Sequence, residues 1–272
     1  MRVGILQFAV EAGRRSANHA AVCRLVEKAM RSATAPDVLV LPELWSTGYA
    51  LEQADRLASP FGNSDAAFLG SLSREFGVAF AGGSVLASVP ASVPVGAAEP
   101  PRSYYFNRSQ VIAKDGSCIA AYDKIHLFRP MGEDRFLCRG GSPVWFSLGG
   151  IRCSSVVCYD IRFCELTRRL AAGGAELLFV AAEWPSARIS QWEILLRARA
   201  VENQMYVAAC NRCGASGGET FGGSSMIIAP DGTVLAHAGD GEAVIMADID
   251  PAFVRSTRDA LPVFSDRVPD LY

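Results

Sequence analysis

Eight cysteines, 28 carboxylates and 26 lysines and arginines are spread along 272 residues, and three of them stand out because each follows an apolar run. Leu39-Val40-Leu41-Pro42-Glu43 leads to a carboxylate. Ala120-Ala121-Tyr122-Asp123-Lys124-Ile125-His126-Leu127 presents an ammonium, and Ser154-Ser155-Val156-Val157-Cys158-Tyr159-Asp160-Ile161-Arg162-Phe163 presents a thiol. Addition of a thiol to an amide needs this set. One group attacks, one takes its proton and later activates water, and one steadies the oxyanion. Cys158 is singled out by lying where a strand turns into a helix, so that the following amides, Tyr159 first, face whatever the sulfur attacks. A helix N-terminus and a nearby ammonium would lower its pKa from a free value near 8.5 by about one to several units. Taken singly, each residue has a plainer reading. Cys158 could be a small buried hydrophobe like Cys153, Glu43 a solvated loop carboxylate and Lys124 an ordinary turn lysine. Convergence of the three strand ends is what the sequence leaves open.

The elements that must hold these groups alternate along the chain. Residues 1–8 read as a strand and 15–32 as an amphipathic helix with Ala20, Val22, Leu25, Val26 and Met30 on one side. A buried strand over 37–41 stops at Pro42, which lacks the amide hydrogen a central ladder requires. Residues 65–76 predict a helix and 78–85 a strand, and Ala87 to Arg102, rich in Pro, Ala and Ser, predicts a surface loop. Asp115-Gly116 and Asp231-Gly232 mark two hairpins, joining 104–113 to 118–122 and 224–229 to 233–237. Between them lie strand 151–157, helix 164–172, strand 176–181, helix 188–203 and strand 205–210. On the last helix Ile194, Leu195, Ala198 and Val201 have the spacing of a core stripe. Buried strands between helical crossovers, together with hairpins, imply an α/β fold with mixed sheets and helices outside. No linker divides two cores, so 1–272 reads as one domain.

Composition excludes several classes. Half the residues are hydrophobic, 20% are charged and the net charge is −2, which gives no bias toward nucleic acid or acidic lipid. Arg197 and Arg199 lie two apart and do not share a helix face, so no basic stripe forms. No apolar run reaches the roughly 18 residues of a membrane span. The N-terminus reads as a strand rather than a signal peptide, so a cytoplasmic location is expected. A disulfide framework does not suit a chain of this size without an export signal, and Cys210-x-x-Cys213 lacks the second pair of a zinc ribbon. No metal or organic cofactor is expected.

Leu41-Pro42-Glu43-Leu44-Trp45-Ser46-Thr47-Gly48-Tyr49, Tyr122-Asp123-Lys124-Ile125-His126-Leu127-Phe128 and Val157-Cys158-Tyr159-Asp160-Ile161-Arg162-Phe163 resemble the three signature segments of the nitrilase (carbon–nitrogen hydrolase) superfamily, in its order and at compatible spacing. The likeness continues through Gln191–Gln204, Gly222-Gly223-Ser224-Ser225 and the ending Leu261-Pro262-Val263-Phe264…Asp270-Leu271-Tyr272, nearly the whole chain. Within the superfamily it is strongest to omega-amidases, which deamidate 2-oxoglutaramate and 2-oxosuccinamate. The resemblance implies a Glu43–Lys124–Cys158 triad and a four-layer α-β-β-α sandwich of two mixed sheets. It also implies a thioester route and pairing as a homodimer or higher homo-oligomer. A second family glutamate falls on Glu133, seven residues before Gly140, with a solvated loop carboxylate as the alternative. A nitrilase or an N-carbamoyl amidase would use the same triad, and a catalytically silent scaffold could keep the fold.

Selectivity residues are harder to read. Ala182-Glu183-Trp184-Pro185 departs from the segment common in omega-amidases, which leaves the small-molecule amide open. Trp184 could line the pocket or sit in the core. Arg188 could grip a substrate carboxylate through a bidentate pair, or be a solvated charge in the first turn of a helix. Tyr49 could close over the pocket. Arg162 reads as structural, paired with a carboxylate, and His126 as a satisfied structural histidine.

Overall fold

The computed structural model describes residues 1–91 and 103–271. The first half of the chain runs β1 (Arg2–Gln7), α1 (Arg15–Met30), β2 (Val38–Val40), α2 (Ala54–Leu57), β3 (Ser59–Pro60), α3 (Asn63–Phe76), β4 (Ala79–Pro90), β5 (Ser103–Ile112) and β6 (Cys118–Asp123). It continues through α4 (Glu133–Phe136), β7 (Trp145–Leu148), β8 (Ile151–Val157), α5 (Cys164–Ala172), β9 (Leu177–Ala182), α6 (Ile189–Asn203) and β10 (Tyr206–Asn211). The last part holds β11 (Cys213–Ser216), β12 (Glu219–Gly222), β13 (Met226–Ile228), β14 (Val234–His237), β15 (Ala243–Asp248) and α7 (Pro251–Ala260).

Two sheets form, ordered β15-β1-β2-β4-β5-β6 with β3 on β4, and β14-β13-β10-β9-β8-β7, while β11 and β12 pair apart. Both are mixed. β1, β2 and β4 are parallel, as are β8, β9 and β10, and antiparallel strands flank each group. Side chains alternate faces along a strand, and that period of two sorts the core. Val3 and Ile5 of β1 meet Leu177, Phe179, Tyr206 and Ala208 of β9 and β10 between the sheets. The outward Leu6 and Phe8 pack on Val22, Leu25 and Val26 of α1 and on Leu69 and Leu72 of α3. On the other outer face Leu178, Val180 and Val207 pack on Leu166 and Leu170 of α5 and on Trp192 and Leu196 of α6. The layers are therefore α-β-β-α, as expected.

Four readings need correction. Ala87–Pro90 is not loop but the end of β4, paired with Phe106 back to Ser103. Residues 92–102 of the expected loop, and Tyr272 of the terminal motif, lie outside the described residues. The core stripe expected on α6 is turned around, since Ile194 is 67% exposed and Val201 49% exposed. The buried face is Trp192, Leu196, Arg199, Ala200 and Asn203. Both faces of α6 carry apolar residues at helical spacing, and the polar residues went inside because partners await them: Arg199 Nε donates to the Ile161 carbonyl at 2.7 Å. Finally, β15 and α7 were not foreseen, although Asp250 caps α7 by accepting from the Ala252 amide at 2.9 Å, with Pro251 in its first turn, a standard start signal. No helix among the described residues is long and apolar enough to cross a membrane.

Candidate active site

Strand ends bring the reactive groups together. β2 runs out at Val40, and the chain turns through Leu41 and Pro42 to Glu43, where the Ser84 hydroxyl of β4 accepts from the Leu44 amide at 2.9 Å. β6 ends at Asp123, and the Lys124 amide donates to the Asn107 carbonyl of β5 at 2.9 Å. The Lys124 carbonyl in turn accepts from the Gly140 amide at 2.8 Å. Only glycine fits at 140, because a Cβ there would lie 2.0 Å from the Asp123 carbonyl oxygen. β8 ends at Val157, and Cys158 follows with φ of 48°, a left-handed conformation that costs a non-glycine residue free energy and is tolerated where the surroundings impose it. Asp160 holds that turn. Its Oδ2 accepts from the Val157 amide at 3.0 Å and from the Tyr122 hydroxyl at 2.7 Å. Its Oδ1 accepts from the His126 amide at 3.0 Å. One carboxylate thus ties the cysteine turn to the lysine segment.

Glu43, Lys124 and Glu133 are fully buried. The Lys124 ammonium donates to Glu43 Oε1 at 2.8 Å and to Glu133 Oε1 at 2.6 Å. Glu43 also accepts from Asn107 Nδ2 at 2.7 Å and, on Oε2, from the Glu183 amide at 2.9 Å. Glu133 accepts from the Phe128 amide at 2.6 Å. The Tyr49 hydroxyl lies 3.1 Å from Glu43 Oε1 and also contacts Glu133. Glu133 is therefore no solvated loop carboxylate. Burial alone would pull the Lys124 pKa down, but Glu133 and Glu43 outweigh it and hold the ammonium above its ordinary range. The two carboxylates keep this lysine charged.

The Cys158 thiol lies near enough to Glu43 and Lys124 for both to act on its proton. Its pKa is pushed well up, first by burial and then by Glu43, with Lys124 pulling the other way. This overturns the expected lowering. The turn after Cys158 is a five-residue 3-10 segment rather than a long helix, and desolvation with a neighbouring carboxylate outweighs a single ammonium. The direction of the shift favours a protonated sulfur at rest, with the Glu43 carboxylate nearby. Cys153, by contrast, sits between the sheets, and burial pushes its thiol up to about 12.

A narrow cleft at Cys158 is lined by Phe128, Tyr159, Arg162, Glu183, Trp184 and Arg188, among others. Trp184 fills both roles foreseen for it. It walls the cleft, and it also packs in the core, its ring 5.4 Å from Trp192 and its Nε1 donating to the Arg188 carbonyl at 2.9 Å. Arg188 is half-buried at the end of a 3-10 turn before α6, its guanidinium 5.8 Å from the Phe128 ring centre. Arg162 has no carboxylate partner among the described residues: it donates to Gln191 Oε1 at 2.7 Å and stacks 4.7 Å over Trp184. The Tyr159 ring leans on Phe128 and Phe163. His126 is satisfied by Asp160 at 2.8 Å and stacked on Phe163. Asn107, Asp160 and Glu183 were missed. Asn107 carries no local signal, since it acts on Glu43 far along the chain, and Asp160 gives only its turn bond to Val157 locally, its bonds to Tyr122 and His126 being distant. Glu183 did carry one, because it follows β9 as Glu43 follows β2.

The sequence profile described as carbon–nitrogen hydrolase matches residues 2–259. The chain belongs to the carbon–nitrogen hydrolase family. It is a hydrolase of carbon–nitrogen bonds with the nitrilase-superfamily fold. It is 39% identical over 270 residues to a 2-oxoglutaramate amidase of Bacillus subtilis, covering 99% of this chain and 98% of that one. It is 33% identical over 246 residues to the omega-amidase YafV of Escherichia coli K12, covering 89% of each. Among solved structures, an amidase from Nesterenkonia sp. AN1, in a glutamate-to-glutamine mutant, shows covalent addition of the acetamide moiety of fluoroacetamide at the active-site cysteine. It superposes with a TM-score of 0.82 at 26% identity, covering 100% of this chain and 95% of that one. The protein XC1258 from Xanthomonas campestris, with an arsenic adduct in its active site, gives a TM-score of 0.86 at 28% identity, covering 98% and 97%.

Proposed function

We infer that this hydrolase is a cysteine-dependent amidase that releases ammonia from a small carboxamide, the omega-amide of a 2-oxo dicarboxylic acid. The observation that carries the reading is the buried Lys124 ammonium held by Glu43 and Glu133, with the Cys158 thiol beside them at the cleft. Glu43 takes the thiol proton as sulfur adds to the amide carbonyl. Lys124 and the Tyr159 backbone amide receive the oxyanion, and one such donor is worth roughly 3 to 4 kcal/mol. The tetrahedral intermediate collapses as the carbon–nitrogen bond breaks, and Glu43 returns the proton to the leaving ammonia. Glu43 then draws a proton from water, which attacks the thioester and frees the acid and the thiol. Glu133 orients Lys124 and Tyr49 through its Oε1.

The names of the relatives support the 2-oxo acid choice, and so does Arg188. Its guanidinium lines the cleft over Phe128 with no carboxylate partner among the described residues, free to meet a substrate carboxylate. The profile match supports one catalytic domain over 1–272. The enzyme works in the cytoplasm as a homodimer or higher homo-oligomer, without a cofactor. The test is ammonia release from a panel of 2-oxo-acid amides, nitriles and carbamoyl amino acids. The omega-amides are expected to lead, with turnover lost in Cys158→Ala and kept in Cys153→Ala. Equal ammonia release by Cys158→Ala and the parent would remove the nucleophile from the scheme.

A further inference from the structure

Glu183 is buried at the edge of the cleft, 1% exposed, and the scheme above does not use its side chain. One oxygen is fixed: Oε2 accepts from Arg212 at 3.0 Å. Arg212 is itself buried, donating to the Val10 carbonyl and stacked 4.3 Å over Phe221. The other oxygen, Oε1, is buried with no hydrogen-bond partner among the described residues. Leaving a buried carboxylate oxygen unpaired is costly, so its retention at a reaction cleft asks for a partner that arrives from outside. Burial drives the Glu183 pKa up to about 8 despite Arg212, and a donor arriving at Oε1 would draw it back down by favouring the carboxylate.

The chemistry of that arriving partner follows from position. Glu183 shares the cleft wall with Cys158, and its own amide donates to the base Glu43. In the reaction inferred above, the side of the substrate facing Glu43 is the leaving side, since Glu43 hands its proton there. Lys124 and the Tyr159 amide serve the oxygen. The group left for Glu183 to meet is the carboxamide NH2, a pure donor.

We propose that Glu183 is a specificity-determining residue, whose free Oε1 accepts a hydrogen bond from the substrate's carboxamide NH2 and so makes the site select primary amides over nitriles and esters. A nitrile nitrogen is an acceptor and an ester has no N–H. Either would leave Oε1 unpaired and face it with a lone pair, and sites built to bond a polar hydrogen reject analogues that lack it by large factors. This inference rests on the amidase reading and sharpens it.

The test compares two substrates with the same acyl group, glutaramate and monomethyl glutarate, which yield one common acyl-enzyme on Cys158. Glu183→Ala and Glu183→Gln are measured beside the parent. The glutamine keeps the shape, but with its carbonyl held by Arg212 it turns an NH2 toward the substrate NH2. The expected result is that kcat/KM for the amide falls at least tenfold further than kcat/KM for the ester in both variants, while deacylation stays common to both substrates. An equal fall for amide and ester would overturn the proposal and leave Glu183 as a support for Glu43. Should the alanine variant not fold, the isosteric glutamine variant decides alone. If the parent acylates Cys158 with neither compound nor with 2-oxoglutaramate, the amidase reading fails first and takes this inference with it.

Discussion

At Cys158 two opposing influences meet on one sulfur. An ammonium close by stabilises a thiolate, while burial and a nearby carboxylate stabilise the thiol, and here the second pair prevails. A resting ion pair of the kind found in many thiol enzymes is therefore absent. In the proposed mechanism the proton therefore leaves during attack, with Glu43 as its acceptor. This has a consequence in pH. If the thiolate were the resting form, alkylation would be independent of pH above neutrality. With the pKa raised well above the ordinary thiol range, the alkylated fraction grows with pH. Iodoacetamide labelling of Cys158, followed by peptide mass mapping, is expected to accelerate steadily from pH 6 to 9 with no plateau; a plateau near pH 7 would contradict the raised pKa. The sequence singled out Cys158 from its place after a strand, but the lowered pKa expected for it is reversed by its surroundings. Glu43 comes from more than a hundred positions away and the burying side chains, Tyr122 and Trp184 among them, from other elements, so no local pattern carries them.

The elements tell a similar story of what is local and what is not. Strands and helices with strong periodicity, such as β8, β9 and α5, lie within a residue or two of expectation, because alternation and helical spacing are written in consecutive residues. α6 exists where foreseen but turns its other face inward, since two apolar stripes compete on it and the bonds of Arg199 to the Ile161 carbonyl and of Trp192 to the Ser224 carbonyl hold one of them inside. The lysine segment depends on a contact that sequence could not show. Gly140 closes on Asp123 so tightly that any Cβ collides with its carbonyl oxygen. Gly140→Ala must push that backbone aside, at a cost of about 1 to 3 kcal/mol by analogy with overpacked cores. Urea denaturation is expected to show that loss together with reduced kcat, because the displaced strand end carries Lys124. Unchanged stability and turnover would mean that the Gly140 contact does not hold the lysine.

For the whole molecule, two sheets pressed face to face and covered by helices leave a patch that the sandwich does not hide. Ile194 and Val201 stand one heptad apart on the outer face of α6, with Leu261 also exposed after α7. Large exposed apolar side chains grouped in this way suit association between copies, in line with the homodimer expected from the family resemblance. Sedimentation velocity is expected to give a dimer for the parent and a monomer for the Ile194→Asp, Val201→Asp double variant. A parent that sediments as a monomer would remove the dimer from this account.

At every scale the account turns on one covalent bond, between the sulfur of Cys158 and the acyl carbon of an amide whose nitrogen departs as ammonia. Acid-quenched intact mass, taken within the first turnovers with 2-oxoglutaramate and followed by peptide mapping, reads that bond directly. The expected product is an adduct of the substrate mass less ammonia, located on the peptide bearing Cys158 and decaying as free acid appears. An adduct on another residue, or ammonia release with no adduct at any time, would contradict the account.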